Sequence, residues 1–556
     1  MVNLRNIFVN KNMLIISAIL FFILIFSFYF YSTLPVGGYY NTDDLETGSA
    51  AIFAGKYGNW VFKDDFNSKF QTYGFIPPGY LISKDKLLFP YGFVGRKLLF
   101  IPFSNFLLEY SANLWQTFFG ILCIILVFLI GKILFKNNIF SLFLSALFGL
   151  SAFFTAEINY FFPEVTGLFF LLFSIYYLLK FKDSNDTKWI FFAYVFFGIS
   201  LLIRLTNILL LPTIIFLSYY KEQTNLKKRL KYFLIIGLII FSIFLPQLII
   251  NKVTLGSFSE FSYTSYTNPY NNLLIKESED ISKNITSGEI SPFFYRVINE
   301  YLFQKKSFGD YFSNLILLVK TLFIGSPIFL FFPLGLLYFL KKKRLNSFLY
   351  GSILLFILSF FVFGSIGGYF GEGSINIRSS LIRYLFLPIC LFFIISFGGL
   401  LFLIDKVKSK KTKYLTVTLM IILVVLSNNP LIYPFNTYLR MDDKPSFKDS
   451  LTTTGNYVLT HTENNSIILS GGFDDGFLAG NREVFEYTFI PIDSRSQEIK
   501  RVVDKLIKEN YKVYVYRLRG SSSVWGNDHL FNFTNLNYSI SNLDLPDQRY
   551  ELFKLN

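Results

Sequence analysis

The sequence predicts an α-helical polytopic membrane protein with about eleven transmembrane helices, followed by a small C-terminal extracytoplasmic α/β domain. Hydrophobic residues make up 53% of the 556 residues and charged residues only 16%, whereas a soluble domain is about 25% charged. The apolar residues fall into long runs, and short clusters of Lys and Arg separate many of these runs. Near the C-terminus the long runs give way to short alternating patterns that are typical of strands.

The long apolar runs define the predicted spans. A membrane-spanning helix needs roughly 20 apolar residues, and shorter helices are tolerated inside a bundle. The first run is too long for a typical signal-peptide core and lacks a small-residue cleavage site, so we interpret it as a retained span. The predicted spans are 13–33, 107–131, 139–156, 164–181, 189–204, 206–220, 232–251, 314–340, 346–366, 383–404 and 414–430.

The basic clusters predict the orientation of the chain. Under the positive-inside rule, the side that holds these clusters and the N-terminus is the cytoplasm. The clusters are Lys132 with Lys136, Lys182 with Lys188, 221–231, 341–344 and 406–413. We therefore predict a multi-pass protein of the cell (plasma or inner) membrane whose two long loops, 34–106 and 252–313, lie outside. Because the orienting clusters account for much of the net charge of +15, we expect no nucleic-acid partner.

The pattern divides the chain into a transmembrane domain, 1–430, and an extracytoplasmic α/β accessory domain, 431–556. In the tail, 466–470, 482–490 and 511–517 have strand patterns, and 497–510 has the periodicity of a helix. The only two histidines, His461 and His529, lie in this domain. They lack cysteine partners, so we predict no metal site for them.

Two acidic groups lie on the predicted outer side of the membrane. Asp43 and Asp44 are adjacent in the first long loop, where a carboxylate could deprotonate or orient an attacking hydroxyl group; a solvated turn or a helix cap is the alternative. Glu164 follows Pro163 at membrane depth, where carboxylates are costly and usually functional. The alternative for Glu164 is that it caps the next helix through the helix dipole. We interpret Glu157, on the other side of this turn, as an ordinary polar residue.

Three arginines, Arg204, Arg378 and Arg383, lie on the same predicted side, against the orientation preference of cations. Each arginine therefore requires a partner. A guanidinium group binds phosphate oxygens in a two-pronged geometry, so the phosphate of a lipid-linked substrate is one candidate. A lipid headgroup and a salt bridge to one of the acids above are the alternatives.

Several motifs occur in order along the transmembrane domain. They are Asp43-Asp44 after the first span, Pro163-Glu164 at the start of the fourth, and GISLLIRLTNILLLP at 198–212. They continue with LGSF at 255–258, IGSPIFLFFPLGLLYFLKKKR at 324–344 and GGYFGEGSINIRSSLIRYLFLP at 367–388. In this order and placement the motifs resemble the GT-C superfamily of glycosyltransferases, which contains the protein O-mannosyltransferases and the lipid A aminoarabinose transferase.

The resemblance implies an inverting glycosyltransferase that takes a sugar from a polyprenyl-phosphate donor on the extracytoplasmic side. It makes Asp43 the leading catalytic base, with Asp44 beside it and Glu164 as the second acidic position. Arg204, Arg378 and Arg383 become candidate ligands of the donor phosphate. The chain departs from the usual pattern because Asp-Asp replaces Asp-Glu and the tyrosine that usually follows this pair is absent. The choice between Asp43 and Asp44 therefore stays open.

The sequence leaves several properties open. The acceptor is a lipid, a glycan or a protein; membrane lipids are further partners; and no cofactor is predicted, although a divalent metal ion could assist. One alternative function is a lipid-linked glycan polymerase or ligase, which would share the topology. The other is a transporter or flippase of glycan precursors. Transporters typically contain internal repeats and charged residues near the bilayer midplane, and neither feature is visible in the sequence.

Overall fold

A computed structural model describes residues 11–33, 61–63, 65–70, 80–82, 87–90, 94–104, 111–158, 163–184, 186–219, 226–255, 258, 308–342, 345–363, 383–406, single positions between 409 and 422, 457–458, 460–463, 466–470, 483–486, 492–518, 538–543 and 550–555. The chain forms two compact units. The helical unit comprises 1–35, 113–245 and 296–443, and the sheet unit comprises 36–112, 246–295 and 444–556.

Helices dominate the first three quarters of the described chain. They are α1 (Lys11–Thr33), α2 (Asp65–Phe70), α3 (Val94–Ser104), α4 (Ser111–Phe135), α5 (Asn138–Gly149), α6 (Ala152–Ile158), α7 (Pro163–Ser184), α8 (Lys188–Ile203), α9 (Leu211–Tyr219), α10 (Leu226–Leu255), α11 (Phe308–Gly325), α12 (Phe332–Lys341), α13 (Asn346–Phe363), α14 (Phe386–Lys406) and α15 (Ile492–Lys508). Two 3₁₀ helices, Leu205–Leu210 and Pro327–Phe331, precede α9 and α12.

The lengths and composition of these helices fit a membrane protein. Among the described residues, four helices are long and apolar enough to cross a bilayer: Leu114–Phe135, Pro163–Ser184, Phe233–Thr254 and Phe386–Lys406. A bent pair, Tyr311–Phe323 with Pro327–Lys341, would add a fifth span. Shorter apolar helices accompany them in α1, α5, α8, α13 and 205–218. The predicted helical, polytopic class is confirmed, the number of spans stays a prediction, and the predicted span 414–430 lies largely outside the described residues.

Three predicted spans are wrong as continuous α-helices. The span 139–156 divides into α5 and α6 at Leu150 and Ser151, and 206–220 begins with a 3₁₀ helix. The span 314–340 is interrupted at Ser326, which has extended backbone angles (φ −160°, ψ 109°). Ser326 precedes Pro327, and the proline ring disfavours the helical conformation of the residue before it. Hydropathy alone did not reveal these interruptions because the flanking residues are apolar throughout.

Glycines allow two helices of the helical unit to pack closely. A Cβ atom added at Gly335 of α12 would overlap the carbonyl oxygen of Ile395 in α14, and one added at Gly399 would overlap the carbonyl oxygen of Phe331. Such backbone-to-backbone approaches are characteristic of helix pairs in membranes, where small residues increase van der Waals contact. This contact fixes α14, whose N-terminal end follows the Arg383 segment.

The sheet unit contains a five-stranded mixed sheet. Its strands are β4 (Ser466–Ser470), β5 (Glu483–Glu486), β6 (Lys512–Leu518), β7 (Ile540–Leu543) and β8 (Tyr550–Leu555), in the order β5-β4-β6-β8-β7. Strand β4 is parallel to β5 and β6, whereas β8 is antiparallel to β6 and β7. The apolar face of α15 buries Ile499, Val502, Val503 and Leu506 against the sheet. The segments 466–470, 482–490, 497–510 and 511–517 thus contain the elements that their patterns predicted, while β7 and β8 were not anticipated.

A second, smaller sheet belongs to the first long loop. It consists of β1 (Phe62–Lys63), β2 (Tyr80–Ile82) and β3 (Leu87–Pro90), with β3 in the middle and both pairings antiparallel. Helix α3 follows, and its Val94 amide donates to Oε1 of Gln247 in α10 at 2.9 Å. The sheet unit therefore combines the tail with the first long loop and the C-terminal end of α10.

Candidate active site

A buried carboxylate, Glu164, lies at the start of helix α7. Pro163 occupies the first helical position, where its missing N–H group costs nothing. Glu164 is in the first turn, where the partial positive charge of the helix N-terminus stabilises an anion. Its side chain has 0% exposure, and a buried charge requires partners. The helix end therefore explains where the carboxylate lies, although it does not by itself neutralise the charge.

Two arginines from other segments supply the countercharge. Nη1 of Arg204 and Nε of Arg383 each lie 2.8 Å from Oε1 of Glu164. Arg204 occupies the extended residue (φ −152°, ψ 109°) between α8 and the 3₁₀ helix, and Arg383 lies three residues before α14. The break that ends α8 thus serves to direct Arg204 toward Glu164. The Arg383 contact is a charge-assisted hydrogen bond, which is short and about twice as strong as a neutral one. The Arg204 contact is an ion pair.

Further contacts hold the two arginines side by side. Nη1 of Arg204 also donates to the carbonyl oxygen of Arg383 at 3.4 Å. The guanidinium carbon of Arg204 lies 4.9 Å from the centre of the Tyr384 ring, within the range of a cation–π interaction. The side chains of Arg204 and Arg383 remain 14% and 17% exposed. They are thus oriented by protein contacts while keeping access to the surroundings.

An open pocket adjoins this cluster. It is lined by Glu164, Arg204 and Arg383 together with polar groups of Asn207 and Ser359 and the ring of Tyr384. Apolar side chains of α7 and α14 complete its wall. A pocket with apolar walls and a few converging polar groups is the usual form of a small-ligand site. The two guanidinium groups make an anionic ligand the chemically suitable one.

Glu157 of α6 is a site residue that the sequence did not single out. Its side chain is buried, with 5% exposure, and it interacts electrostatically with Glu164, Arg383 and Arg204. One of its carboxylate oxygens, Oε2, has no hydrogen-bond partner in the described part of the chain, and the same holds for Oε2 of Glu164. Glu157 therefore belongs to the cluster. The sequence feature that could have identified Glu157 is its position seven residues before Glu164, on the other side of the same turn.

The structure brings together three of the six residues singled out from the sequence: Glu164, Arg204 and Arg383. For these residues, the alternative of a salt bridge between the arginines and an acid describes the observed contacts. Asp43, Asp44 and Arg378 lie outside the described residues. Within the described ranges, no three His, Cys, Asp or Glu side chains come together in a group that could hold a metal ion.

The chain thus has a helical unit and a separate α/β unit. The helical unit contains an acid–arginine cluster beside a pocket. A family model described as dolichyl-phosphate-mannose-protein mannosyltransferase matches residues 99–250, the part of the chain that contains Glu164 and Arg204. No curated protein matches the chain in sequence. This match to part of the chain agrees with the resemblance to the GT-C superfamily that was inferred above from the motifs.

Two solved structures are similar over nearly the whole chain. The structure of ArnT from Cupriavidus metallidurans in the apo state covers 98% of this chain and 97% of its own, with 11% identity and a TM-score of 0.55. ArnT from the same organism bound to undecaprenyl phosphate has the same coverage and identity, with a TM-score of 0.53. At this identity the likeness shows the shared fold.

Proposed function

We propose that the protein is an inverting glycosyltransferase, which moves a sugar from a polyprenyl-phosphate donor to an acceptor on the extracytoplasmic side of the membrane. The observation that carries this proposal is the convergence of Arg204 and Arg383 on the buried carboxylate of Glu164 beside an open pocket. A donor of this kind leaves behind a lipid phosphate, so its site needs fixed cations within reach of the membrane.

The two arginines would stabilise the departing phosphate. As the bond between the anomeric carbon and the phosphate oxygen breaks, the electron pair moves to that oxygen and negative charge develops there. Oriented N–H donors in a partly buried site stabilise such charge more than water does, because they need not reorganise during the reaction. A guanidinium group has five N–H donors. Glu164 accepts a hydrogen bond from Nε of Arg383 and forms an ion pair with Nη1 of Arg204. Its role is to hold the two cations at a fixed spacing.

The acceptor hydroxyl requires a base, and the first long loop supplies the candidates. Asp43, or Asp44 beside it, would take the hydroxyl proton as the acceptor oxygen attacks the anomeric carbon. Attack on the face opposite the leaving phosphate gives inversion. Arg378 is a third candidate for the phosphate. In this proposal the N-terminus is cytoplasmic, the protein resides in the cell membrane, and 431–556 covers or recognises the acceptor, which is a lipid, glycan or protein.

Replacement of the proposed base tests this function. Asp43→Asn preserves shape and removes basicity, so it should lower transfer by about 10²–10⁴-fold, the usual contribution of general-base catalysis. Asp44→Asn should have a smaller effect if Asp44 only positions the acceptor. The assay measures sugar transfer from labelled polyprenyl-phosphate donors in membranes, with donor binding measured separately. Parental rates in both variants would show that the first long loop does not contain the base.

A further inference from the structure

Helix α2 of the first long loop is built into the core of the C-terminal domain. Phe70 is only 4% exposed and belongs to the apolar cluster formed by β4, β6, β8 and α15. The ring of Phe66 stacks on Phe485 of β5, with centroids 3.9 Å apart and an interplanar angle of 25°. It also lies 4.7 Å from the ring of Phe70. The two aromatic side chains thus complete a core whose other members come from the tail.

Charged groups around the two rings fix the end of this helix. Nζ of Lys69 lies 2.6 Å from Oε2 of Glu509, at the end of α15. Nζ of Lys505 donates to the carbonyl oxygen of Lys69 at 2.7 Å and lies 5.2 Å from the Phe70 ring centre. A cation suits this position because the last carbonyl groups of a helix carry partial negative charge. Apolar and polar contacts therefore attach α2 to the same surface.

The tail stabilises helix α2, which is too short to be stable by itself. Helix α2 has six residues, and isolated helices shorter than about 12 residues are marginal in water because nucleation is costly. Its conformation therefore depends on the five-stranded sheet and on α15, next to whose end Glu509 lies 440 residues after Lys69. The loop has two further attachments. Upstream of α2, β1 pairs with β3, and downstream of α2, Val94 of α3 donates to Gln247 of α10.

We propose that Phe66, Lys69 and Phe70 are positioning residues, which dock the first long loop on the C-terminal domain and thereby restrain the segment that carries Asp43 and Asp44. This inference rests on the proposed function, because it assigns the catalytic base to that loop. Docking at 65–70 holds the chain that follows the Asp43–Asp44 segment on the C-terminal domain.

The expected effect follows from loss of orientation. A misplacement of a catalytic group by about 1 Å can cost about 10²-fold in rate. The turnover number should therefore fall, by up to about 10²-fold, when docking is lost, while the affinity for the donor stays unchanged.

A charge reversal with rescue tests the proposal in the full-length protein. Lys69→Glu should repel Glu509, lower kcat without changing the donor KM, and expose the first long loop to limited proteolysis. The double variant Lys69→Glu/Glu509→Lys should restore both properties, because it rebuilds the ion pair with the charges exchanged. Lys508→Glu, which makes the same change of charge on the exposed surface of α15, is the matched control and should behave as wild type. Phe66→Ala should reproduce the Lys69→Glu effect, and Phe66→Leu should rescue part of it.

The outcomes separate docking from the function on which it rests. Unchanged kcat in a Lys69→Glu or Phe66→Ala protein whose loop has become protease-sensitive would overturn the positioning role. Unchanged protease sensitivity in both variants would overturn the docking itself. A wild-type protein without transfer activity would refute the proposed function and the positioning role with it, while the proteolysis comparison would still decide whether the loop is docked.

Discussion

Oε1 of Glu164 lies 2.8 Å from one nitrogen of each of two guanidinium groups, those of Arg204 and Arg383. Two like charges so close together repel, and the buried carboxylate offsets this repulsion. The arrangement presents two guanidinium groups in fixed orientation to the pocket, held by Glu164 and, for Arg204, by the ring of Tyr384. A phosphate group suits it because its oxygens accept several hydrogen bonds from planar donors.

Replacing either arginine by lysine should separate charge from geometry. Arg204→Lys and Arg383→Lys retain a cation but lose the planar, multiply donating group. If each loses one charge-assisted hydrogen bond of about 1.5–3 kcal/mol, transfer should fall by about 10- to 100-fold. Steady-state transfer rates measure this effect. Arg501→Ala, which removes an exposed arginine of α15, serves as the control, and wild-type rates in both lysine variants would exclude these arginines from the site.

Individual site residues were partly predictable. Arg204 and Arg383 were identified because they are cations on the predicted outer side of the membrane. Glu164 was identified because it follows Pro163 at membrane depth. Their mutual contact could not be predicted, because it joins three helix ends that lie 219 positions apart in the longest case. Glu157 was missed because its significance comes from electrostatic neighbours on other helices. Asp43, Asp44 and Arg378 stay predictions.

Helix contacts in the helical unit depend on small residues at defined positions. Gly335 and Gly399 lie where α12 and α14 approach backbone to backbone. Because α14 follows directly after Arg383 and Tyr384, its position determines where the arginine lies. The packing of these two helices therefore supports the position of the site residues.

Two glycine-to-alanine variants test this packing. Gly399→Ala places a methyl group against the carbonyl oxygen of Phe331 and the backbone of Gly335, so it should lower the free energy of unfolding by about 1–3 kcal/mol. Gly237→Ala in α10 is the matched control, because a Cβ atom there meets nothing within 4 Å. It should be neutral or stabilising by up to about 1 kcal/mol, since alanine favours helices. Thermal unfolding in detergent measures both, and equal stability of the two variants would contradict the packing argument.

Elements were predictable where their sequence period was strong. The strand at 466–470 and the helix over 497–510 were predictable from hydrophobic patterning. The strand is buried along its whole length, and the helix buries one apolar face. The break at Arg204 lies where two predicted spans meet. The interruption at Ser326 was not predicted, since an apolar run has the same hydropathy whether or not its helix is broken. The contribution of α2 to the tail's core was equally hidden, because it depends on packing between distant segments.

At the scale of the whole molecule, the chain combines a helical unit with a sheet unit. The fold shared with ArnT extends over 98% of the chain, at an identity too low for aligned residues alone to reveal it. Composition and charge patterning predicted the fold class. The grouping of the first long loop with the tail was found only in the structure.

The orientation in the membrane is the prediction that belongs to this scale. The basic clusters at 341–344 and 406–413 should be cytoplasmic, and the C-terminus should be outside. Topology reporters fused at Lys343, Lys410 and Asn556 should accordingly give cytoplasmic, cytoplasmic and extracytoplasmic signals. A cytoplasmic signal at Asn556 would contradict this orientation, because the chain would then have an even number of spans.

The central claim, a site for a lipid phosphate built on Arg204 and Arg383, is tested most directly by binding. Purified protein in detergent would be titrated with a polyprenyl phosphate and, separately, with the polyprenol of the same chain length, which differs only by the phosphate. Wild-type protein should bind the phosphate-bearing lipid at least about 10-fold more tightly, the effect of a single charge-assisted hydrogen bond. The double variant Arg204→Ala/Arg383→Ala should bind both lipids alike. Equal affinity of the wild-type protein for the two lipids would contradict the account.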